Sequence, residues 1–261
     1  MTVNNLSLKG KIALITGACG GIGREISRKF AAEGAEVYLC DIKDCSDFAE
    51  KINEESSAER ARSLICDISS AEEVKDMFGQ ISSQNSQIDI LINNAAVKGP
   101  AGPHNFPEMS FEGFKKTIDI DLSGAVYCIQ NVLPKMLEQE WGRIIFTAAP
   151  LSSSGIPAPY LAGKLGFIAL ADKIREKYSH KNIHSFALIL RHTDTPMIRR
   201  VLKSRGKDVE AGIKKLNEKS LTGKMIKPAE IAELYSYFAA AEHESIEDLA
   251  LLADGGITYL R

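Results

Sequence analysis

The stretch KIALITGACGGIGREISRKFAAEG, Lys11 to Gly34, decides the fold. It opens on an apolar run of strand length, Lys11–Thr16, and passes directly into Gly17-Ala18-Cys19-Gly20-Gly21-Ile22-Gly23. From Ile22 to Glu33 the apolar residues recur at helical spacing. A strand that turns on glycines into a helix suits the pyrophosphate of a dinucleotide. The glycines allow close backbone approach, and the helix N-terminus offers unpaired N–H groups and the positive end of its dipole. Gly17, Cys19, Gly21, Ile22 and Gly23 are therefore candidate cofactor contacts.

The same alternation continues outward. Strand-like runs fall at Glu36–Cys40, Arg62–Cys66, Ile88–Ile92, Arg143–Thr147, His184–Leu190 and Asp248–Leu252. Helical patterns lie between them, among them Ala71–Ser83, Phe111–Glu138 and Pro159–Tyr178. Seven strands alternating with helices predict an α/β fold, a Rossmann-like doubly wound parallel sheet covered on both faces. No linker or fixed-period repeat interrupts the pattern, so residues 1–261 read as one domain.

Composition narrows the function. A hydrophobic content of 44% supports a core rather than disorder, and a net charge of −2 argues against a nucleic-acid binder. No run of 18 apolar residues and no apolar segment within Met1–Lys11 is present, which predicts neither membrane insertion nor secretion but a cytoplasmic protein. The five cysteines (19, 40, 45, 66, 128) are odd in number and lack CxxC spacing. They read as buried free thiols of a reducing compartment, with disulfides and a metal site both disfavoured. Charge is uneven along the chain. Arg191 to Lys227 holds eleven Lys/Arg against four acids, net +7, which points to an anionic ligand beneath it.

Asp41 closes the second strand, eighteen residues after Gly23. A carboxylate there accepts both adenosine ribose hydroxyls and repels a 2′-phosphate, so NAD is expected over NADP. Cys19 adds no positive charge for that phosphate, although Lys43 lies nearby.

Thr16-Gly17-(x)3-Gly21-Ile22-Gly23, then Asn93-Asn94-Ala95-Ala96, then Tyr160-Leu161-Ala162-Gly163-Lys164 occur in an order that resembles the short-chain dehydrogenase/reductase family. The likeness runs from Leu8 to Asp254-Gly255-Gly256. It implies a nicotinamide dinucleotide and redox chemistry on an alcohol or carbonyl. By the resemblance, Asp67 and Ile68 touch the adenine, and Asn94 and Ala95 line its ribose. Thr195, with Thr193 beside it, reaches the nicotinamide carboxamide. The family assigns Tyr160 as acid/base, with Lys164 lowering its pKa and binding the nicotinamide ribose. Tyr160 and Lys164 are four apart and so share a helix face. A dimer or tetramer is implied, pairing through Phe111–Glu138 and Pro159–Tyr178, although those apolar faces fit equally against their own sheet.

Four sites depart from the family pattern, the mildest being Ala96 where the family usually has glycine. Ala149 stands where a serine normally holds the substrate oxygen, with Thr147 and Ser152, Ser153 and Ser154 as alternative hydroxyls. Asp121 replaces the asparagine of a water-linked proton relay, adding a charge that attracts Lys164. Leu190-Arg191 replaces Pro-Gly, and a guanidinium there grips a carboxylate or phosphate by a bidentate contact. With His104 and the basic stretch, Arg191 favours an acidic small-molecule substrate. The leading reading is NAD-dependent hydride transfer. A non-redox cyclisation, dehydration or isomerisation on the same scaffold and a dinucleotide-binding regulatory subunit are the alternatives.

Overall fold

The computed structural model describes residues 7–84, 87–97, 106–151, 156–204, 206, 208–240 and 250–256. The strands are β1 (Ile12–Thr16), β2 (Glu36–Asp41), β3 (Ala61–Ile65), β4 (Ile90–Asn93), β5 (Gly142–Ala148), β6 (Ile183–Leu190) and β7 (Ala250–Ala253). They form one sheet in the order β3-β2-β1-β4-β5-β6-β7, every pair parallel. The helices are α1 (Gly21–Ala32), α2 (Ser46–Ser56), α3 (Ala71–Ser83), α4 (Phe111–Ile118), α5 (Gly124–Glu138), α6 (Ala158–Tyr178), α7 (Pro196–Ser204), α8 (Val209–Lys219) and α9 (Pro228–Ala240).

Successive strand residues point to opposite faces, and the core divides accordingly. Ala13 and Ile15 of β1, Val37 and Leu39 of β2, and Ile90 and Ile92 of β4 pack with Ile26 and Phe30 of α1 and Ile231 and Tyr235 of α9. Leu14, Tyr38, Cys40 and Leu91 turn the other way, onto Val74 of α3, Cys128 of α5 and Phe167 of α6. Strands buried on both faces explain why these runs are continuously apolar rather than alternating.

Three features differ from the sequence expectation. The helix read at Phe111–Glu138 is α4 and α5 joined by one wider π-helical turn, Asp119–Ser123. Such a turn holds an extra residue, and Asp121 within it is fully buried. The basic stretch holds α7 and α8, packed around Leu202, Ile213 and Met225 and closed at its base by a bridge between Thr193 and Ile226. Finally, five free thiols were expected. Cys40, Cys66 and Cys128 are free and buried, but Cys19 and Cys45 form a disulfide. Parallel pairing of β1 with β2 sets the loops after these strands side by side, so residues 26 apart in sequence lie 5.8 Å apart at Cα. Among the described residues no helix is long and apolar enough to cross a membrane.

Candidate active site

The strand order reverses between β1 and β4, and a cavity of about 310 Å³ opens at their C-terminal ends. Open parallel sheets take ligands at such a switch point. Gly17, Cys19, Gly21, Ile22, Asp41, Asn94, Ala95, Tyr160, Lys164 and Thr195 all line it. Asp67 and Ile68 do not. The Asp67 carboxylate accepts from the Ser69 N–H (2.9 Å) and hydroxyl (2.7 Å), while Ile68 is buried in the core beside α5. Gly23 is buried at the start of α1, behind the cavity wall.

The cavity floor is built for close approach. Gly17 has φ +67°, and a Cβ on it would come within 2.8 Å of the Ala95 Cα. Helix α1 starts on Gly20 with no acidic residue in its first turn, which leaves its dipole available to an anion. Asp41 is held by two backbone donors, the N–H of Cys19 (3.0 Å) and of Lys43 (3.1 Å). A carboxylate has about four acceptor sites, so capacity for hydroxyl donors is left. Beneath the loop, the Asn94 amide donates to the carbonyls of Thr16 (3.0 Å) and Gly17 (3.2 Å). The Thr147 hydroxyl donates to Asn94 Oδ1 (3.2 Å) and lies 2.7 Å from the buried Tyr235 hydroxyl. Its one hydrogen thus goes to Asn94 or Tyr235 rather than into the cavity.

Tyr160 and Lys164 project from one side of α6, one turn apart. Lys164 is buried, its Nζ 3.4 Å from the Ala95 carbonyl and 4.5 Å from the centre of the Phe167 ring. Asp121 approaches because Gly163 lacks a side chain; a Cβ there would sit 2.8 Å from the Asp121 Cβ. Asp121 Oδ1 accepts from the Val97 N–H (2.8 Å), whereas Oδ2 is buried without a hydrogen bond. Burial raises the Asp121 carboxyl to about 7, against the pull of Lys164 and the Val97 N–H. Burial lowers Lys164 to about 8, with Asp121 acting in the opposite sense. The sequence reading has Lys164 drawing the Tyr160 phenol down. The net shift is upward instead, from burial and then from the Asp121 charge.

A second cavity, about 340 Å³, adjoins the first and shares Tyr160, Thr147, Ile22, Thr195 and Met197 with it. Ala149, Arg191, His192 and Thr193 form one side. Ile198 and Leu202 of α7 and Leu216 and Lys219 of α8 form the other. Ala149 is buried and offers no donor. Arg199 is spent elsewhere, paired with Asp194 (3.4 Å) and Glu210 (3.1 Å). His104 and Ser152, Ser153 and Ser154 lie outside the described residues. Sequence reasoning missed Lys219, which it counted only within the basic stretch. It also missed Tyr235 and Cys45, whose roles depend on contacts distant in sequence.

A family model described as short chain dehydrogenase matches residues 11–206. The chain belongs to the short-chain dehydrogenase/reductase family. It is accordingly an enzyme of an oxidoreductase family. Its relatives include oxidoreductase UcpA of Salmonella typhimurium, 30% identical over 96% of this chain and 95% of that one. D-beta-hydroxybutyrate dehydrogenase of Cupriavidus necator is 28% identical over 95% of this chain and 98% of that one. Levodione reductase shares the fold at a TM-score of 0.88 and 22% identity, covering 95% of this chain and 97% of that one. In this short-chain dehydrogenase/reductase, Ala149 and Arg191 line the second cavity with Tyr160, and Asp121 is buried against Gly163, next to Lys164 in sequence.

Proposed function

We propose that this enzyme transfers a hydride between NAD(H) and an alcohol or carbonyl substrate that carries an anionic group, with Tyr160 exchanging the proton. One observation carries the reading: Tyr160 lines both cavities, at the junction of the glycine-loop cleft and the cation-flanked pocket.

The donor set fits a nicotinamide dinucleotide. The cradle at Gly17 is one that a Cβ would fill, the α1 N-terminus carries no competing acid, and Asp41 retains acceptor capacity. When bound, that cofactor supplies or accepts the hydride. Asp41 accepts the adenosine ribose hydroxyls and selects NAD, Lys164 holds the nicotinamide ribose, and Thr193 and Thr195 face the carboxamide. The raised Tyr160 phenol stays protonated near neutrality, so it donates to the carbonyl oxygen in reduction. Asp121, titrating near 7, passes a proton toward Lys164 to restore it. Arg191 and Lys219 grip the substrate anion, and α7 and α8 cover it. Two relatives bear the names of acid-acting enzymes, the hydroxybutyrate dehydrogenase and the 2-dehydro-3-deoxy-L-rhamnonate dehydrogenase (NAD(+)) of a Sphingomonas strain. The same reading makes the chain a cytoplasmic homo-oligomer.

The test is steady-state oxidation of NADH and of NADPH on a panel of keto acids and neutral ketones. Turnover with NADH and a keto acid is expected, falling about 10²–10⁴-fold in Tyr160→Phe with NADH affinity kept within a few-fold. Equal activity in Tyr160→Phe overturns the assignment. Ala149 favours a second reading, a non-redox proton transfer at Tyr160, because a ketone oxygen there lacks its usual second donor. Ala149→Ser separates the two. Under the hydride reading it raises carbonyl reduction, by up to about 2.7–4 kcal/mol of transition-state stabilisation. Under the other it diverts the enzyme from its own reaction.

A further inference from the structure

The Cys19–Cys45 disulfide stands at the wall assigned above to the adenosine end of the dinucleotide. Cys19 lines the cleft within the glycine loop, and its N–H is one of the two donors that hold Asp41. Cys45 is buried at the N-cap of α2, anchored by its own N–H on the Ser63 hydroxyl (2.9 Å). Lys43, the other donor to Asp41, lies between them and also lines the cleft. The sulfurs and the Asp41 carboxylate lie within 4.8 Å of one another. The crosslink therefore fixes, relative to each other, the two loops whose backbone N–H groups set the position of Asp41.

We propose that Cys19 and Cys45 are a reversible thiol–disulfide site that sets dinucleotide affinity, tight when oxidised and weaker when reduced. This rests on the cofactor reading given above. Oxidation is exchange with a low-molecular-weight disulfide, RSSR. The Cys19 thiolate, the more accessible of the two, attacks one sulfur of RSSR, breaking its S–S bond and releasing RS⁻. Cys45 then displaces the second RS⁻ from the mixed disulfide, forming the Cys19–Cys45 bond. Two thiol protons leave on the two RSH formed, and two electrons pass from the protein sulfurs to RSSR. Reduction by two RSH runs the same steps backwards. In the oxidised state the ribose wall is ordered before binding, and in the reduced state binding itself must order it, which lowers affinity. Coupling of this kind is reciprocal: whatever factor oxidation adds to dinucleotide affinity, bound dinucleotide adds to the stability of the disulfide.

The experiment equilibrates the full chain in glutathione buffers of stepped oxidised-to-reduced ratio, with and without saturating NADH. Free thiols are counted after alkylation, and NADH affinity is measured by its fluorescence at both extremes. The expected count moves between five and three thiols. NADH binding is expected to be about three- to tenfold weaker in the reduced protein. The midpoint ratio should shift toward reducing conditions by the same factor when NADH is present. In reducing buffer Cys45→Ser should bind NADH like the reduced parent, and in oxidising buffer it should hold one glutathione on Cys19 instead of regaining tight binding. A count fixed at five, or equal NADH affinity in both states with no midpoint shift, overturns this proposal and leaves the cofactor reading standing. Absence of NADH and NADPH binding in both states overturns the two together.

Discussion

Asp121 carries a cost that the pH of the solution controls. Its carboxyl sits near 7 in the fold, whereas an unfolded aspartate titrates at about 3.9. Between these values the folded chain holds a proton that the unfolded chain has released. Stability contributed by this group is therefore complete below about pH 4, falls as pH rises toward 7, and is level beyond. Asp121→Asn cannot ionise and lacks this slope. Denaturant midpoints of the two proteins, compared from about pH 4 to 7, should diverge in the variant's favour as pH rises. Midpoints that run parallel throughout would mean the carboxyl titrates normally and has no special place beside Lys164. The same residue scale explains why Thr147 is a poor stand-in for the missing serine. Its hydroxyl is already engaged by Asn94 and Tyr235.

At the scale of elements, the contact between α6 and the π-helical turn positions Tyr160 and Lys164, the proposed acid/base pair. Gly163→Ala tests it directly, because the added methyl would meet the Asp121 Cβ at 2.8 Å. One of the two must move, and overpacking of this kind costs about 1–3 kcal/mol. The expected melting temperature is lower by about 2–4 °C per kcal/mol, with turnover reduced more than NADH affinity. A variant as stable and active as the parent would show that the turn yields freely. The strands were legible because each is an apolar run bounded by glycine or polar residues. The candidate site was legible where residues close in sequence line one cavity, as with the glycine loop and the Tyr160–Lys164 turn. The π-helical turn was not, since apolar spacing from Phe111 to Glu138 reads the same with one residue more or less in a single turn. Nor was the Cys19–Cys45 bond, which exists only once β1 and β2 lie side by side.

For the molecule as a whole, charge is divided between body and cover. The net +7 stretch sits on a remainder of opposite sign, and Arg191 and Lys219 from it reach the pocket beside Tyr160. Arg191→Ala should raise KM for keto acids about tenfold or more and leave neutral ketones within twofold, as loss of a charge-assisted contact predicts. Equal losses on both classes in parallel steady-state assays would remove the argument for an anionic substrate.

The pairing of α1 with α9 has a consequence for how the chain is made. Helix α1 rests its inner face on the sheet and on α9, tied by Lys29 to Glu233 (2.6 Å) and by Glu33 to Ser236. About two hundred residues separate these partners in the sequence. During synthesis the glycine loop and α1 emerge about two hundred residues ahead of α9. Throughout most of synthesis the apolar flank of Ile26 and Phe30 has no permanent neighbour on that side. Contacts this remote in sequence close late and slowly. The glycine loop and α1 are thus made about two hundred residues before the helix that seals their outer flank, so this end of the sheet is built early and closed late.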